Sequence, residues 1–159
     1  MALSRSRESV WDYPRPPRME PTSALIKVEF GGEVIAETRR ALRVLETSHP
    51  PVYYLPPEDV RTEVLQHEEG ATVCEYKGRA EYFSVQVQGK KVTRAAWCYP
   101  HPRHPYEGLA GYIAFYVQAM DACSVNGEKA NAQPGSFYGG WITTGIVGPF
   151  KGAGGTENW

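Results

Sequence analysis

A predicted β-hairpin between residues 71 and 99 constrains the fold of this chain more than any other stretch. Phe83, Val85 and Val87 alternate with polar residues, which is the period of a strand with one buried face. Gly89 follows, and glycine readily takes the positive φ that short hairpin turns need. The alternation resumes after the turn and stops at Pro100, because proline cannot donate to a strand ladder. The stretch therefore predicts two long antiparallel strands, with other strands paired around them.

Turn signals divide the rest of the chain into short segments. Apolar alternation predicts strands over residues 25–30, 33–38, 52–55, 110–118, 121–125 and 128–132. Gly31-Gly32 and Asn126-Gly127 predict the hairpin turns among them. Residues 39–46 fit either a helix or a strand, and their short length between strand signals favours a strand. Prolines and acidic residues predict one short helix over residues 57–66.

Composition restricts the class of protein. The 159 residues suffice for one domain with a real core, and the 16 glycines and 13 prolines, interleaved with aromatic and β-branched residues, fit short strands and tight turns. A formal net charge of −1 argues against nucleic-acid binding. No long apolar run predicts a membrane span or a secretory signal. Cys74, Cys98 and Cys123 lie far apart, which predicts free thiols and a reducing, cytoplasmic location.

Residues 1–23 form a polar, proline-rich segment that contains Trp11 and Tyr13. One interpretation is a flexible tail, as is common at termini. Two large rings in a proline-stiffened segment favour another, an extended arm that packs on its own domain or on a second subunit in a homodimer. Residues 24–159 then form a single β-domain. Its glycine-rich C-terminal tail carries many apolar side chains, so we expect the tail to be ordered.

Two cationic positions are candidates for a binding site. Lys77 precedes Gly78, which allows a ligand to approach the backbone closely, although most lysines are simply solvated. In a strand over residues 40–46, alternation places Arg43 on the face opposite Glu46. A buried guanidinium needs a carboxylate or phosphate partner. Arg43 therefore either joins an internal ion pair that holds the fold or binds an anionic ligand.

Aromatic residues with polar tips are predicted to line the same site. Rings sharing one sheet face suit a mostly apolar pocket with a few fixed hydrogen bonds, although core packing explains any single ring equally well. We expect Lys77 and Arg43 to reach one anion, with Glu46 orienting the arginine. The predicted ligand-binding residues are Arg43, Glu46, Tyr54, Lys77, Trp97 and Tyr112. Neither paired cysteine spacings nor a phosphate-binding glycine loop is present, so neither a metal nor a cofactor is expected.

The whole chain resembles the bacterial and fungal family catalogued as domain of unknown function 427. The segments that carry the resemblance are ESVWDYPRPP (8–17), GEVIA (32–36), ALRVLE (41–46), HPPVYY (49–54), YKG (76–78), AW (96–97), GYIAFY (111–116) and FYGGW (137–141). The family commonly has proline where this chain has Glu75, between the cysteine and the Tyr-Lys-Gly segment.

The resemblance implies a compact, mainly antiparallel β-domain, similar to tent-like folds of crossed small sheets. Together with the residues it predicts small antiparallel sheets in a tent-like or barrel-like single domain with at most one or two short helices. It implies no established activity. A nucleotidyltransferase label has been given to the family, but such enzymes usually hold Mg²⁺ with two or three carboxylates. None of the aspartates here, Asp12, Asp59 and Asp121, is paired with another acid in a DxD or ExD pattern.

Three functions follow in order of preference. The first is a small-molecule-binding domain for an anionic ligand, with no nucleic acid or membrane partner. The second is a structural or protein-interaction domain that forms an oligomer through its aromatic arm and tail. The third is a nucleotidyltransferase-like, phosphate-handling enzyme.

Overall fold

The computed structural model describes residues 7–135 and 137–159. Strands make up 46% of the structure and helices 10%, so the protein is mainly β, as predicted. In this part of the chain the helices are 3₁₀ helices of three residues each: Val10–Asp12, Pro57–Asp59, Thr62–Val64, Glu107–Leu109 and Val117–Ala119. Not one of these described helices has the length and apolar character needed to span a membrane.

The strands form several small sheets. In chain order they are β1 (Glu8–Ser9), β2 (Arg18–Pro21), β3 (Ile26–Phe30), β4 (Glu33–Thr38), β5 (Leu42–Leu45), β6 (Val52–Tyr54), β7 (Leu65–Cys74), β8 (Gly78–Val87), β9 (Lys90–Cys98), β10 (Ile113–Phe115), β11 (Ala122–Val125), β12 (Glu128–Lys129), β13 (Asn131–Ala132), β14 (Trp141–Ile142) and β15 (Ile146–Val147). The sheet orders are β10-β9-β8-β7, β12-β11-β3-β4, β2-β5-β6, β13-β14 and β1-β15. Within the described ranges none of these sheets closes into a barrel.

The predicted hairpin forms the centre of the molecule. Antiparallel β8 and β9 are joined by Gln88 and Gly89, whose φ values of 48° and 81° suit a two-residue hairpin turn. Val85 and Val87 face a core that also contains the inward residues of β3. Both faces of β8 are covered, because Tyr82 on its other face is buried in a second apolar cluster.

This second cluster, which we call the aromatic cluster, lies between the central sheet and the sheet of β5 and β6. Its buried members are Val44, Tyr54, Ala80, Tyr82, Trp97, Tyr99, Tyr106, Leu109, Ala114 and Tyr116. Val44 and Tyr54 come from β5 and β6, so the strand predicted within residues 39–46 is present and contributes to it. The two clusters together cover both faces of β8.

The two predicted glycine turns are also present. β3 and β4 are joined through Gly31 and Gly32, and β11 and β12 through Asn126 and Gly127, which both have positive φ. Ile26 and Val28 on β3 are fully buried, as the alternation predicted.

The predicted helix over residues 57–66 is wrong. Two 3₁₀ turns occupy its first part, and β7 begins at Leu65. The main-chain N–H of Arg61 donates to the carbonyl of Ile35 in β4, and the Asp59 carboxylate accepts from the Thr38 hydroxyl. The segment therefore makes its hydrogen bonds to a neighbouring strand, which is incompatible with the local bonding of an α-helix.

The strand predicted over residues 110–118 is shorter than expected. Only Ile113–Phe115 pairs with β9, and a 3₁₀ turn follows at Val117–Ala119. Gly111 before the strand has a φ of 75°, outside the extended range. The positive φ of Gly111 and the 3₁₀ turn after Phe115 therefore limit the strand to three residues, all of them buried.

The N-terminal segment and the C-terminal tail lie against each other in the structure. β1 pairs in parallel with β15, and the Trp11 indole N–H donates to the carbonyl of Pro149 at 2.9 Å. Val10 and Tyr13 are buried against Leu45 of β5. The contacts therefore join both ends of the described chain to the same sheet.

Replacing Val85 with aspartate is expected to abolish soluble expression. Val85 is fully buried between the sheets, and an unpaired carboxylate there costs several kcal/mol, a large part of a total stability of about 5–15 kcal/mol. The matched control is Gln86→Asp, at the exposed neighbouring position of β8. Soluble yield and urea unfolding should separate the two variants. If the two variants were equally stable, Val85 would not lie on the buried face of β8.

Candidate functional site

A cavity of about 240 Å³ opens beside the aromatic cluster. Strands β5 and β6 form one side, the end of β7 and its turn a second, β8 and β9 the floor, and the C-terminal tail the remaining wall. Its lining residues are Val44, Glu46, His49, Val52, Tyr54, Thr72, Val73, Cys74, Glu75, Tyr76, Lys77, Tyr82, Trp97, Tyr99, Tyr116, Gln133, Phe137, Tyr138, Gly139 and Lys151. The cavity thus combines aromatic walls with a few charged groups, as ligand sites usually do.

The aromatic wall is fixed by packing and hydrogen bonds. The Trp97 indole N–H donates to the Tyr54 hydroxyl at 3.3 Å, and the rings of Trp97 and Tyr116 have centroids 4.5 Å apart. Burial raises the pKa of Tyr54, so its hydroxyl stays protonated. A Cβ at Gly139 would overlap the Trp97 ring, so the tail can close over this ring only because that position is glycine.

Lys77 enters the cavity from the turn between β7 and β8. Gly78 after it has a φ of 106°, which favours glycine, and the Arg103 main-chain N–H donates to the Lys77 carbonyl at 2.9 Å. The side chain is only 7% exposed. Its ammonium donates to Cys74 Sγ at 3.4 Å and lies 5.8 Å from the Tyr99 ring centre. Among the described residues no carboxylate pairs with it.

His49 presents a neutral imidazole to the cavity. The buried Gln133 amide oxygen accepts from the Gly140 main-chain N–H at 3.0 Å, which leaves its nitrogen to donate to His49 Nδ1 and to the Lys151 carbonyl. Nδ1 is therefore an acceptor, and the proton lies on Nε2. Burial, assisted by the charges of Lys151, Arg15 and Lys77, lowers the pKa of His49 to about 4.

Glu46 is the more buried of the two acidic residues that line the cavity, since Glu75 is exposed. Its nearest donors are Arg15 Nε at 3.8 Å and His49 Nε2 at 3.9 Å, and both distances exceed hydrogen-bond range. The side chain is 22% exposed. The carboxylate is therefore partly buried, and its contacts with the described part of the chain are longer than hydrogen bonds.

The structure brings together four of the six predicted site residues. Glu46, Tyr54, Lys77 and Trp97 all line the cavity. Tyr112 does not line it and packs, half-buried, at the edge of the aromatic cluster. Whether the four residues bind a ligand stays a prediction.

The prediction that Arg43 and Lys77 meet one anion is wrong. Arg43 lies on the other face of β5, where its guanidinium contacts Glu8 at 3.1 Å and Glu20 at 3.6 Å. Tyr13 also donates to Glu8. Burial alone would raise the pKa of Glu8, but the hydrogen bonds from Tyr13 and Arg43 outweigh it and lower that pKa. Arg43 therefore has its counter-charge within the chain.

The most informative residues that the sequence did not indicate are His49, Gln133 and Lys151. Gln133 is almost fully buried and connects the loop after β5 with the tail. No periodicity identifies such a residue, because its partners are 84 and 18 positions away. His49 lies in a His-Pro-Pro segment that predicted only a loop.

No group of three or more metal-binding side chains is present in residues 7–135 and 137–159. Two of the aspartates are engaged in the fold, since Asp59 binds Arg40 and Asp121 binds Lys90. The cavity offers one buried cation, one half-buried acid and a neutral imidazole. Its chemistry suits recognition of a small polar molecule with an apolar part.

Small antiparallel sheets enclosing an aromatic-walled cavity define the protein as a mainly β domain with a candidate ligand site. The chain belongs to the family described as domain of unknown function (DUF427), whose model, labelled NTP_transf_9, matches residues 18–126. A comparison with curated proteins found no match.

The pKa of His49 predicts a specific pH dependence of stability. The unfolded chain binds a proton at this residue near pH 6.5 and the folded protein only near pH 4. Protons therefore favour the unfolded state in this window, and the free energy of unfolding should fall by about 2 kcal/mol between pH 7 and pH 5.

His49→Asn is the matched variant, since its side-chain oxygen can still accept from Gln133 while no proton is taken up. Urea unfolding at pH 7 and pH 5 should show a smaller loss for this variant than for the parent protein. An equal loss in both proteins would show that His49 is not the group responsible.

Proposed function

We propose that this protein binds a small organic anion in the cavity, with the Lys77 ammonium receiving its carboxylate or phosphate. The observation that supports it most is the burial of this lysine beside an empty space. A buried ammonium is costly unless a counter-charge or several hydrogen bonds meet it. Among the described residues its ammonium contacts the Cys74 thiol and, at a greater distance, the Tyr99 ring, and a bound anion would supply a counter-charge.

The surroundings of Lys77 fit this role. The turn carrying it is held by the Arg103 main-chain N–H, which donates to the Lys77 carbonyl, and by the Arg103 guanidinium, which donates to the Glu75 carbonyl, so the backbone at Lys77 is fixed before a ligand arrives. Tyr54 and Trp97 offer a rigid apolar surface for the organic part of the ligand. Preorganised groups of this kind lose little conformational entropy on binding.

Competing functions receive less support from the same residues. Nucleotidyl transfer needs carboxylates gathered around a metal ion, and the described part of the chain has no such group. A cytoplasmic location fits the three cysteines, which are all free thiols. Binding without a defined reaction is the function that the geometry supports best.

Lys77→Met is expected to lose anion binding while keeping or gaining stability. The probes are 3-phenylpropionate and phenyl phosphate, with 3-phenylpropanol as the neutral counterpart. A hydrogen bond to a charged group contributes about 1.5–3 kcal/mol, so the variant should bind the anions about tenfold or more weakly by calorimetry. Its melting temperature without ligand should be unchanged or raised, because a poorly paired buried charge is removed.

The control is Lys91→Met, which makes the same substitution at an exposed position of β9. It should bind the anions like the parent protein. Binding of the neutral alcohol as tightly as the acids, or unchanged affinity in Lys77→Met, would contradict the proposal.

A further inference from the structure

We infer that the ligand is a zwitterion of the free amino acid class with an apolar or aromatic side chain, and that Glu46 receives its ammonium group. This inference rests on the proposed anion site at Lys77. It adds a second recognition group and a chemical class of ligand to that site.

The first step concerns the hydrogen bonds of the Glu46 carboxylate. Within residues 7–135 and 137–159 no donor lies within hydrogen-bond distance of its carboxylate, and the side chain is only 22% exposed. Arg15 leaves this role open, because its Nε lies 3.8 Å from the Glu46 carboxylate, its terminal nitrogen donates to the Thr47 carbonyl at 3.0 Å and its side chain is 39% exposed. An ion pair at 3.8 Å to an exposed arginine is strongly screened by solvent.

The neighbouring imidazole does not neutralise Glu46 either. Gln133 donates to His49 Nδ1, so the ring facing Glu46 is neutral and carries its proton on Nε2. At 3.9 Å that N–H is too far away to satisfy the carboxylate. A positively charged donor that enters the cavity would meet an acid with available lone pairs.

The second step concerns the relation between the two charges. Glu46 and Lys77 line the same cavity and yet form no ion pair with each other in the described structure. The second lysine of the cavity, Lys151, is engaged with the main-chain oxygen of Trp159 and the Tyr138 ring. A positive and a negative group that line one cavity are complementary to a molecule that carries both charges.

The third step concerns size and polarity. A volume of about 240 Å³ lies below the range of about 300–1,000 Å³ that is typical of drug-sized ligands. The cavity therefore suits a molecule of the size of one amino acid better than a nucleotide. Trp97, Tyr99 and Tyr116 offer rings against which an apolar side chain can pack.

The test uses ligands that differ by one charged group. L-Phenylalanine carries both charges, 3-phenylpropionate lacks only the ammonium, and phenethylamine lacks only the carboxylate. L-Tryptophan and L-leucine, each with its deaminated acid, extend the set. Affinities are measured by calorimetry on the whole chain. At least one amino acid should bind about tenfold or more tightly than its deaminated acid.

Two substitutions assign that preference to residues. In Glu46→Gln the affinity for the amino acid, divided by the affinity for its deaminated acid, should fall to about one. The deaminated acid itself should bind as well as before or better. Lys77→Met should weaken both ligands. Glu37→Gln, at an exposed position of β4, is the matched control and should leave the ratio unchanged.

The outcomes separate the two proposals. Suppose that the deaminated acids bind as tightly as every amino acid of the set and that Lys77→Met weakens this binding. The zwitterion inference is then overturned and the anion site stands. If no acid or amino acid of the set binds, both proposals fail. A preference for the amino acid that survives Glu46→Gln would also overturn the inference, because the ammonium would then be recognised elsewhere.

Discussion

The burial of both faces of β8, in the central hairpin, is the constraint on which the rest of the structure depends. Val85 and Val87 of β8 face the core shared with β3, and Tyr82 on the opposite face enters the aromatic cluster. A strand covered on both sides needs a second layer, which β5 and β6 supply together with the C-terminal tail. The cavity lies where this second layer is incomplete, so its aromatic wall is a continuation of the core.

Most strands could be predicted from the sequence because their signals are local. The glycine turns after Phe30 and Val87 have the positive φ values that the dipeptides indicated, and the alternation of β3 matches its burial. The helix predicted after Pro56 is absent because Asp59 and Arg61 form hydrogen bonds with β4. These bonds join residues that are more than 20 positions apart in the sequence. Composition at a helix start says nothing about such partners.

The candidate site was predictable where it follows from strand alternation. Alternation in β5 already put Arg43 opposite Glu46, and the structure finds Arg43 paired with Glu8 on that other face. Arg43 and Glu46 are nevertheless predicted at one site, because the sequence does not indicate that Glu8 pairs with Arg43. His49 and Gln133 escaped prediction for the same reason, since their contact spans 84 positions.

The C-terminal wall of the cavity has a consequence for the family as a whole. The family model matches residues 18–126, whereas Gln133, Tyr138, Gly139 and Lys151 lie beyond it. The matched segment therefore covers β2 to β11 and Lys77 but omits the side of the cavity that the tail forms. Relatives recognised by that segment can share the scaffold and the cation while enclosing differently shaped spaces. The shape of the cavity can then change through the tail alone, without any change in strands β2 to β11.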